Sequence, residues 1–249
     1  MHYAQAHQPR FGRASAAPQS EAPALVERVQ SRYQLLEIRR HPQYGAQLYI
    51  DGDLQISESD VVYGAAIAAP AAAAPVLRRV AILGGGDGGA LNEVLRTADA
   101  AGAPLETVTL VDIDAEAIAL ARRHLIGICG RAFDDPRAQV IVGDALAYVR
   151  AARGLDAVIC DLTMEPVRAG QSRGAFMEEI VAHAAAALRP GGVFSVQAGG
   201  AEHTDIIREL RAVIAARLER VQEQKVFVPS YEGLWTFIVA RKPVSEVTR

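Results

Sequence analysis

The sequence predicts an α/β fold: a small N-terminal β unit, then a parallel sheet with helices on both faces and an antiparallel C-terminal edge. Three observations predict it. From Val76 onward, short and nearly continuous apolar runs alternate with stretches of helical period, the pattern of strands buried on both faces. The first run, RVAIL (79–83), breaks into GGGDGG (84–89), a strand entering a tight turn ahead of a helix. Upstream, YQLLEIRR and AQLYIDGDLQIS cluster or alternate apolar residues around a DGD turn, as a β-hairpin does.

In chain order, residues 1–24 mix Pro, Ala, Gln and Ser without periodicity and are expected to form a disordered tail. Residues 25–62 are assigned to the small β domain, with strands between Tyr33 and Ser57 and a hairpin near Asp51-Gly52-Asp53. A helix from about Ser59 to Ala69 carries Val62, Ile67 and the alanines on its inner face. Residues 63–249 are assigned to the main domain. Its strands are expected at 79–83, 107–113, 138–144, 156–162 and 192–198, with helices near 90–100, 115–124, 144–152, 174–188 and 203–219. VQEQKVFV (221–228) and GLWTFIVAR (233–241), joined by PSYE, read as an antiparallel hairpin at the sheet edge.

Composition narrows the function classes. The 249 residues carry a formal net charge of -3, which leaves no basic footprint for nucleic acid but permits a cationic ligand. Cys129 and Cys160 form no ligand or disulfide pattern, and the six histidines lack ligand spacing, so no metal is expected. No apolar run spans a membrane or resembles a signal peptide; PAAAAP (70–75) is too short. A cytoplasmic protein without membrane contact is the expectation.

Four successive core strands end on acids: Asp87, then Asp112 and Asp114, then Asp144, then Asp161. Ligands bind beyond the carboxyl ends of strands in an open parallel sheet. One such acid is easily a helix cap, the favoured reading for Asp114 and an equal one for Asp144. Four caps in a row are harder to accept. The turn containing Gly84 and Gly86 presents backbone N–H groups and a helix N-terminus to a nucleoside, and Asp112 is placed to accept from ribose hydroxyls. To that point a dinucleotide and an S-adenosyl nucleoside are both allowed. Asp87, however, occupies the position of a pyrophosphate and would repel it, whereas the ammonium of a sulfonium nucleoside's side chain would be attracted.

Taken together, SRYQ (31–34), YIDGDLQISESDVVY (49–63), LGGGDGGAL (83–91), LVDID (110–114), DDPRAQVIVGDA (134–145), DAVICDL (156–162), RPGG (189–192) and PSYEGLWTF (229–237) resemble the polyamine aminopropyltransferases, spermidine synthase and its relatives. The resemblance implies an N-terminal β domain, a Rossmann-like methyltransferase-type domain and a homodimer or homotetramer. It implies decarboxylated S-adenosylmethionine as co-substrate and a small amine or polyamine as acceptor. By motif position, Gln34 and Gln55 would contact the donor, Asp87 its ammonium, Asp112 the ribose, and Asp144 with Ala145 the adenine. Asp161 would act on the incoming amine with Tyr63 beside it, and Tyr231 and Trp235 would shape the polyamine groove.

That chemistry suits these residue types. A protonated alkylamine, with a pKa of about 10.4 by comparison with lysine, cannot attack carbon, so a base is required and Asp161 is the candidate. The thioether leaves neutral and needs no acid. Aromatic walls suit methylenes between cationic ends, although Tyr231 and Trp235 fit ordinary edge-strand core equally well.

The chain also departs from the family. Tyr63 is followed by Gly64-Ala65-Ala66 where Gln or His and then Glu are usual. The segment after Asp161 reads Leu162-Thr163-Met164-Glu165-Pro166 in place of DSSDP, so Glu165 would serve the far amine only with one extra residue accommodated, and Arg168 replaces a common glycine. Two alternatives therefore stand beside aminopropyl transfer: an S-adenosylmethionine-dependent methyl- or aminocarboxypropyl-transferase, and a non-catalytic nucleoside-binding relative.

Overall fold

The computed structural model describes residues 22–163 and 170–244. Most of the expected tail, residues 1–21, lies outside the described residues. An antiparallel sheet comes first, with β1 (Ala24–Gln30), β2 (Leu35–His41), β3 (Gly45–Ile50) and β4 (Asp53–Ser57) paired in chain order. Asp51 and Gly52 join β3 to β4 with φ of 51° and 90°, the two left-handed positions that make a type I′ hairpin of a DG pair. β1 had no counterpart among the expected strands. It is a largely exposed edge strand, so no buried face imposes on ALVERVQ the alternation by which a strand is read.

After α1 (Val61–Ala68) and a 3-10 turn (Ala69–Ala73) come the strands of the second sheet: β5 (Arg79–Gly84), β6 (Thr107–Asp112), β7 (Ala138–Val142), β8 (Leu155–Asp161), β9 (Leu188–Gly200), β10 (Glu219–Val228) and β11 (Gly233–Arg241). They lie in the order β10-β11-β9-β8-β5-β6-β7. β5 to β9 run parallel, while β11 is antiparallel to both of its neighbours. The helices are α2 (Gly89–Ala101), α3 (Ala115–His124), α4 (Ile126–Cys129), α5 (Ala145–Ala151), α6 (Arg173–Ala187) and α7 (Thr204–Ala215). α7 ends four residues before its expected limit, where Leu218 buries and Arg220 adopts φ 53° to enter β10. β9 starts earlier than expected, with RPGG inside the strand.

Two apolar cores lie on opposite faces of this sheet. Ile82, Leu110, Leu91 and Phe237 share one with Leu36, Ile38 and Ile56 of the first sheet, so the N-terminal unit packs against the main domain through a continuous core. Leu83, Val158, Ile180, Phe194 and Ile238 build the other. The strand order reverses between β5 and β8, which opens a crevice at their carboxyl ends. Among the described residues no helix is long and apolar enough to cross a membrane.

Candidate active site

The crevice is built by backbone proximity before any side chain enters it. β5 ends at Gly84 with φ 78°, and a Cβ there would stand 2.4 Å from the carbonyl oxygen of Asp161 on β8. Only glycine lets these two strand ends lie side by side. Two residues on, the Gly86 N–H donates to Asp112 Oδ2 at 3.0 Å. Asp87 Oδ1 accepts from Gly89 N at 2.7 Å in the first turn of α2. One glycine turn thereby gathers the carboxylates of Asp87, Asp112 and Asp161.

Their crowding shows in their protonation. Burial raises all three above the ordinary aspartate range, and the negative charge of a neighbour adds to it: Asp112 acting on Asp87, Asp114 on Asp112, and Asp87 and then Asp112 on Asp161. Asp161 is pushed up to about 7, against the lowering effect of its bond from Tyr63. Three partly dehydrated carboxylates around one turn favour a cation and disfavour phosphate.

α1 supplies the next layer. The Tyr63 hydroxyl donates to Asp161 Oδ1 at 2.7 Å. Its ring meets Phe237 edge-on at 5.1 Å and Tyr231 at 6.4 Å, and Tyr231 lies 4.8 Å from Trp235. Tyr231 and Trp235 thus continue an aromatic wall that begins at Asp161. Burial first, and then the charge of Asp161 on Tyr63 and of Asp60 on Tyr231, hold both phenols well above their usual pKa, hence neutral.

The other sequence-nominated residues that the structure describes lie at one remove from this centre. Gln34 Nε2 donates to Asp114 Oδ2 at 3.0 Å, beside a 2.7 Å bond from Ser31 Oγ, while Asp114 N donates to Asp112 Oδ1 at 2.9 Å. Asp114 also caps α3 through Oδ1, as its sequence reading had it. Gln55 accepts at its backbone carbonyl from the Tyr231 hydroxyl, and its side chain donates to Asp53 O at 3.1 Å. Asp144 caps α5 through Oδ1, receiving Leu146 N and Ala147 N, with Ala145 buried next to it. The Gly143 N–H bond to Asp112 O at 2.9 Å sets this loop alongside the glycine turn. Glu165 and Arg168 lie outside the described residues. A Cβ on Gly64 would stand 3.2 Å from the carbonyl oxygen of Gly89, so the missing side chain accompanies a close approach of α1 to α2.

Sequence reasoning missed three contributors. Gln197, three residues before the end of β9, donates to Leu162 O at 2.8 Å and accepts from Trp235 Nε1 at 3.2 Å, coupling the backbone after Asp161 to the aromatic wall. Its signal was present, a polar residue late in an apolar strand, comparable to the acids that follow the other core strands. Ser31 and Asp60 gave no such signal, because the partners that tie them to the site, Asp114 and Ser230, are distant in sequence. No group of three or more His, Cys, Asp or Glu among the described residues is arranged to hold a metal ion.

A nucleoside-type turn crowded with carboxylates beside an aromatic wall narrows the families to consider. Residues 61–249, well over half of the chain, match the family model described as the spermine/spermidine synthase domain. The chain belongs to the spermine/spermidine synthase family. Within it, the chain is 38% identical over 217 residues to a polyamine aminopropyltransferase of Aeropyrum pernix, covering 84% of this chain and 67% of that relative. A polyamine aminopropyltransferase of Synechococcus sp. strain JA-3-3Ab is 34% identical over 229 residues, with coverage of 86% and 70%. Among solved structures, spermidine synthase from Thermotoga maritima superposes with a TM-score of 0.78 at 28% identity, over 90% of this chain and 75% of that one. A spermidine synthase in complex with the transition-state analogue AdoDATO gives 0.77 at 27%, over 90% and 74%. The family fold, an antiparallel N-terminal sheet followed by a mostly parallel seven-stranded one, is the fold described above.

Proposed function

We propose that this protein transfers an aminopropyl group from decarboxylated S-adenosylmethionine to a small amine, with Asp161 taking the acceptor's proton. The observation that carries this reading is the junction at Asp161. Its carboxylate is poised near pH 7, bonded to Tyr63, crowded by Asp87 and set at the foot of an aromatic wall. A base of that pKa removes a proton from a bound ammonium far better than an ordinary aspartate would.

In this reading the residues divide the work. Gly84 and Gly86 allow close backbone approach, Asp112 receives the ribose hydroxyls, and Asp144 with Ala145 flanks the adenine. Gln34 and Gln55 frame the donor from the N-terminal unit. Asp87 pairs with the donor's ammonium, and a donor that kept its carboxylate would meet Asp87 with like charge. Tyr63, Tyr231 and Trp235 hold the acceptor's methylenes and charge by apolar contact and cation–π attraction, worth about 0.5–2 kcal/mol per favourable ring. Glu165 is the candidate partner for a second ammonium. The acceptor nitrogen forms its bond to the aminopropyl methylene as the carbon–sulfur bond breaks. The electron pair goes to sulfur, the proton to Asp161, and methylthioadenosine leaves neutral.

The complex of a spermidine synthase of the same fold with the transition-state analogue AdoDATO supports this reading. Incubation with decarboxylated S-adenosylmethionine and a panel of mono-, di- and polyamines tests it. Methylthioadenosine should form with at least one amine, whereas release of S-adenosylhomocysteine from ordinary S-adenosylmethionine would overturn it in favour of methyl transfer.

A further inference from the structure

Asp60 immediately precedes α1, in the position where an aspartate ordinarily caps a helix. It makes no cap bond. The side chain belongs to a residue that is 0% exposed, and it turns instead toward a loop 170 positions away. Oδ1 accepts from Ser230 N at 3.0 Å and from Ser59 Oγ at 3.1 Å. Oδ2 accepts from Ser57 N at 2.8 Å and from Ser230 Oγ. A buried carboxylate is costly unless its oxygens are satisfied, and here four donors satisfy it.

Both sides of this tie carry a ring of the aromatic wall. On one side, Tyr63 N donates to Asp60 O at 2.8 Å, so the tyrosine that bonds Asp161 hangs directly on the Asp60 backbone. On the other, Ser230 is the middle residue of the short 3-10 turn Pro229–Tyr231, one residue before Tyr231. Further bonds run the same way: Tyr231 donates to Gln55 O, and Tyr44 to Glu232 Oε1 at 3.0 Å. The tie thus connects the two segments that carry Tyr63 and Tyr231, whose rings meet edge-on at 6.4 Å.

We propose that the Asp60–Ser230 pair is a positioning device for the acceptor site, fixing the Tyr231 turn relative to Tyr63 and Asp161 while leaving the donor turn untouched. The pair touches no reacting atom in the proposed reaction; it sets the spacing of the rings that hold the amine. This assignment rests on the aminopropyl-transfer reading for its kinetic consequence and on geometry alone for its structural one.

Trp235 is the sole tryptophan of the chain and lies 4.8 Å from Tyr231, so its fluorescence reports the turn without any substrate. The test compares wild type, Ser230→Ala and Ser230→Thr by acrylamide quenching and by KM for amine and donor. Loss of one hydrogen bond to a charged group corresponds to about tenfold, which is the rise expected in the amine KM of Ser230→Ala. Donor KM should stay within about twofold on the same scale, since no donor contact is removed. Quenching should increase, and Ser230→Thr, which keeps the hydroxyl, should restore both. Quenching unchanged in Ser230→Ala, or donor and amine KM rising together, would overturn the proposal. If wild type makes no methylthioadenosine, the transfer reading fails by itself and the quenching response alone decides the clamp.

Discussion

The Tyr63 hydroxyl and Asp161 Oδ1 are joined by a 2.7 Å hydrogen bond that spans two elements, the start of α1 and the end of β8. The bond favours the ionised carboxylate, while burial and the charges of Asp87 and Asp112 oppose ionisation more strongly. The result is a carboxylate whose protonation changes near neutrality, held in a fixed direction. Removing either partner therefore has a predictable electrostatic sign.

The first consequence is a pH profile. Because Asp161 must be ionised to take a proton, kcat/KM for the amine should rise with pH through a limb centred near 7, the value to which its surroundings push it. Tyr63→Phe removes the hydrogen bond that lowers that value, so the limb should move to higher pH along with any loss of rate. A limb that stays in place in Tyr63→Phe would show that another group titrates.

Asp161→Asn should cost activity and add stability. Loss of a general base typically costs on the order of 10²–10⁴-fold in rate. For stability, the folded-state pKa is raised above the unfolded value, so the native state binds the proton more tightly. Stability from that group is fully present below about pH 4 and is lost as pH rises through about 7. The amide carries no such penalty, and the variant should melt higher than wild type at pH 8, with the gap closing toward pH 5. Calorimetry at the two pH values checks this.

Gly84→Ala should be far more damaging than an ordinary surface change. Its φ of 78° costs an L-residue about 1–2 kcal/mol, and the new Cβ would press on the Asp161 backbone from 2.4 Å. Since that neighbour is main chain, the strand ends must separate, and a lower denaturation midpoint together with loss of transfer is expected. Near wild-type stability and activity would contradict the strand-end geometry.

Ser31→Ala tests the attachment of the N-terminal unit. Ser31 Oγ to Asp114 Oδ2 is a buried 2.7 Å bond, and leaving that oxygen short of a donor should cost about 1–3 kcal/mol. For a chain of this size that is about 2–4 °C in Tm per kcal/mol. A double-mutant cycle with Gln34→Ala should be non-additive, because both side chains donate to the same oxygen.

Periodicity made the main sheet legible: RVAIL, TVTLVDI and DAVICDL are buried on both faces, and a strand of that kind carries its burial in its composition. The hairpin at Asp51-Gly52 was legible for a local reason, the left-handed turn that the DG pair favours. β1 was not, since an exposed edge strand leaves no trace of an inner face. In the site, Asp87, Asp112 and Asp161 announced themselves as polar residues closing apolar runs. The ties from Asp60 to Ser230 and from Asp114 to Ser31 did not, because a contact between positions 170 or 83 apart has no local signature. Gly64 was legible as a departure from the family, and the fold supplies a physical reason for it, the proximity of the Gly89 backbone.

In the proposed reaction the three-carboxylate turn serves a cationic sulfonium donor and Asp161 deprotonates an amine beside it. Chromatographic detection of methylthioadenosine from decarboxylated S-adenosylmethionine, across a panel of amines and with wild type beside Asp161→Asn, tests it most directly. Amine-dependent methylthioadenosine is expected with wild type, and a loss of at least about a hundredfold in Asp161→Asn. Amine-independent product, or equal rates for the two proteins, would contradict it.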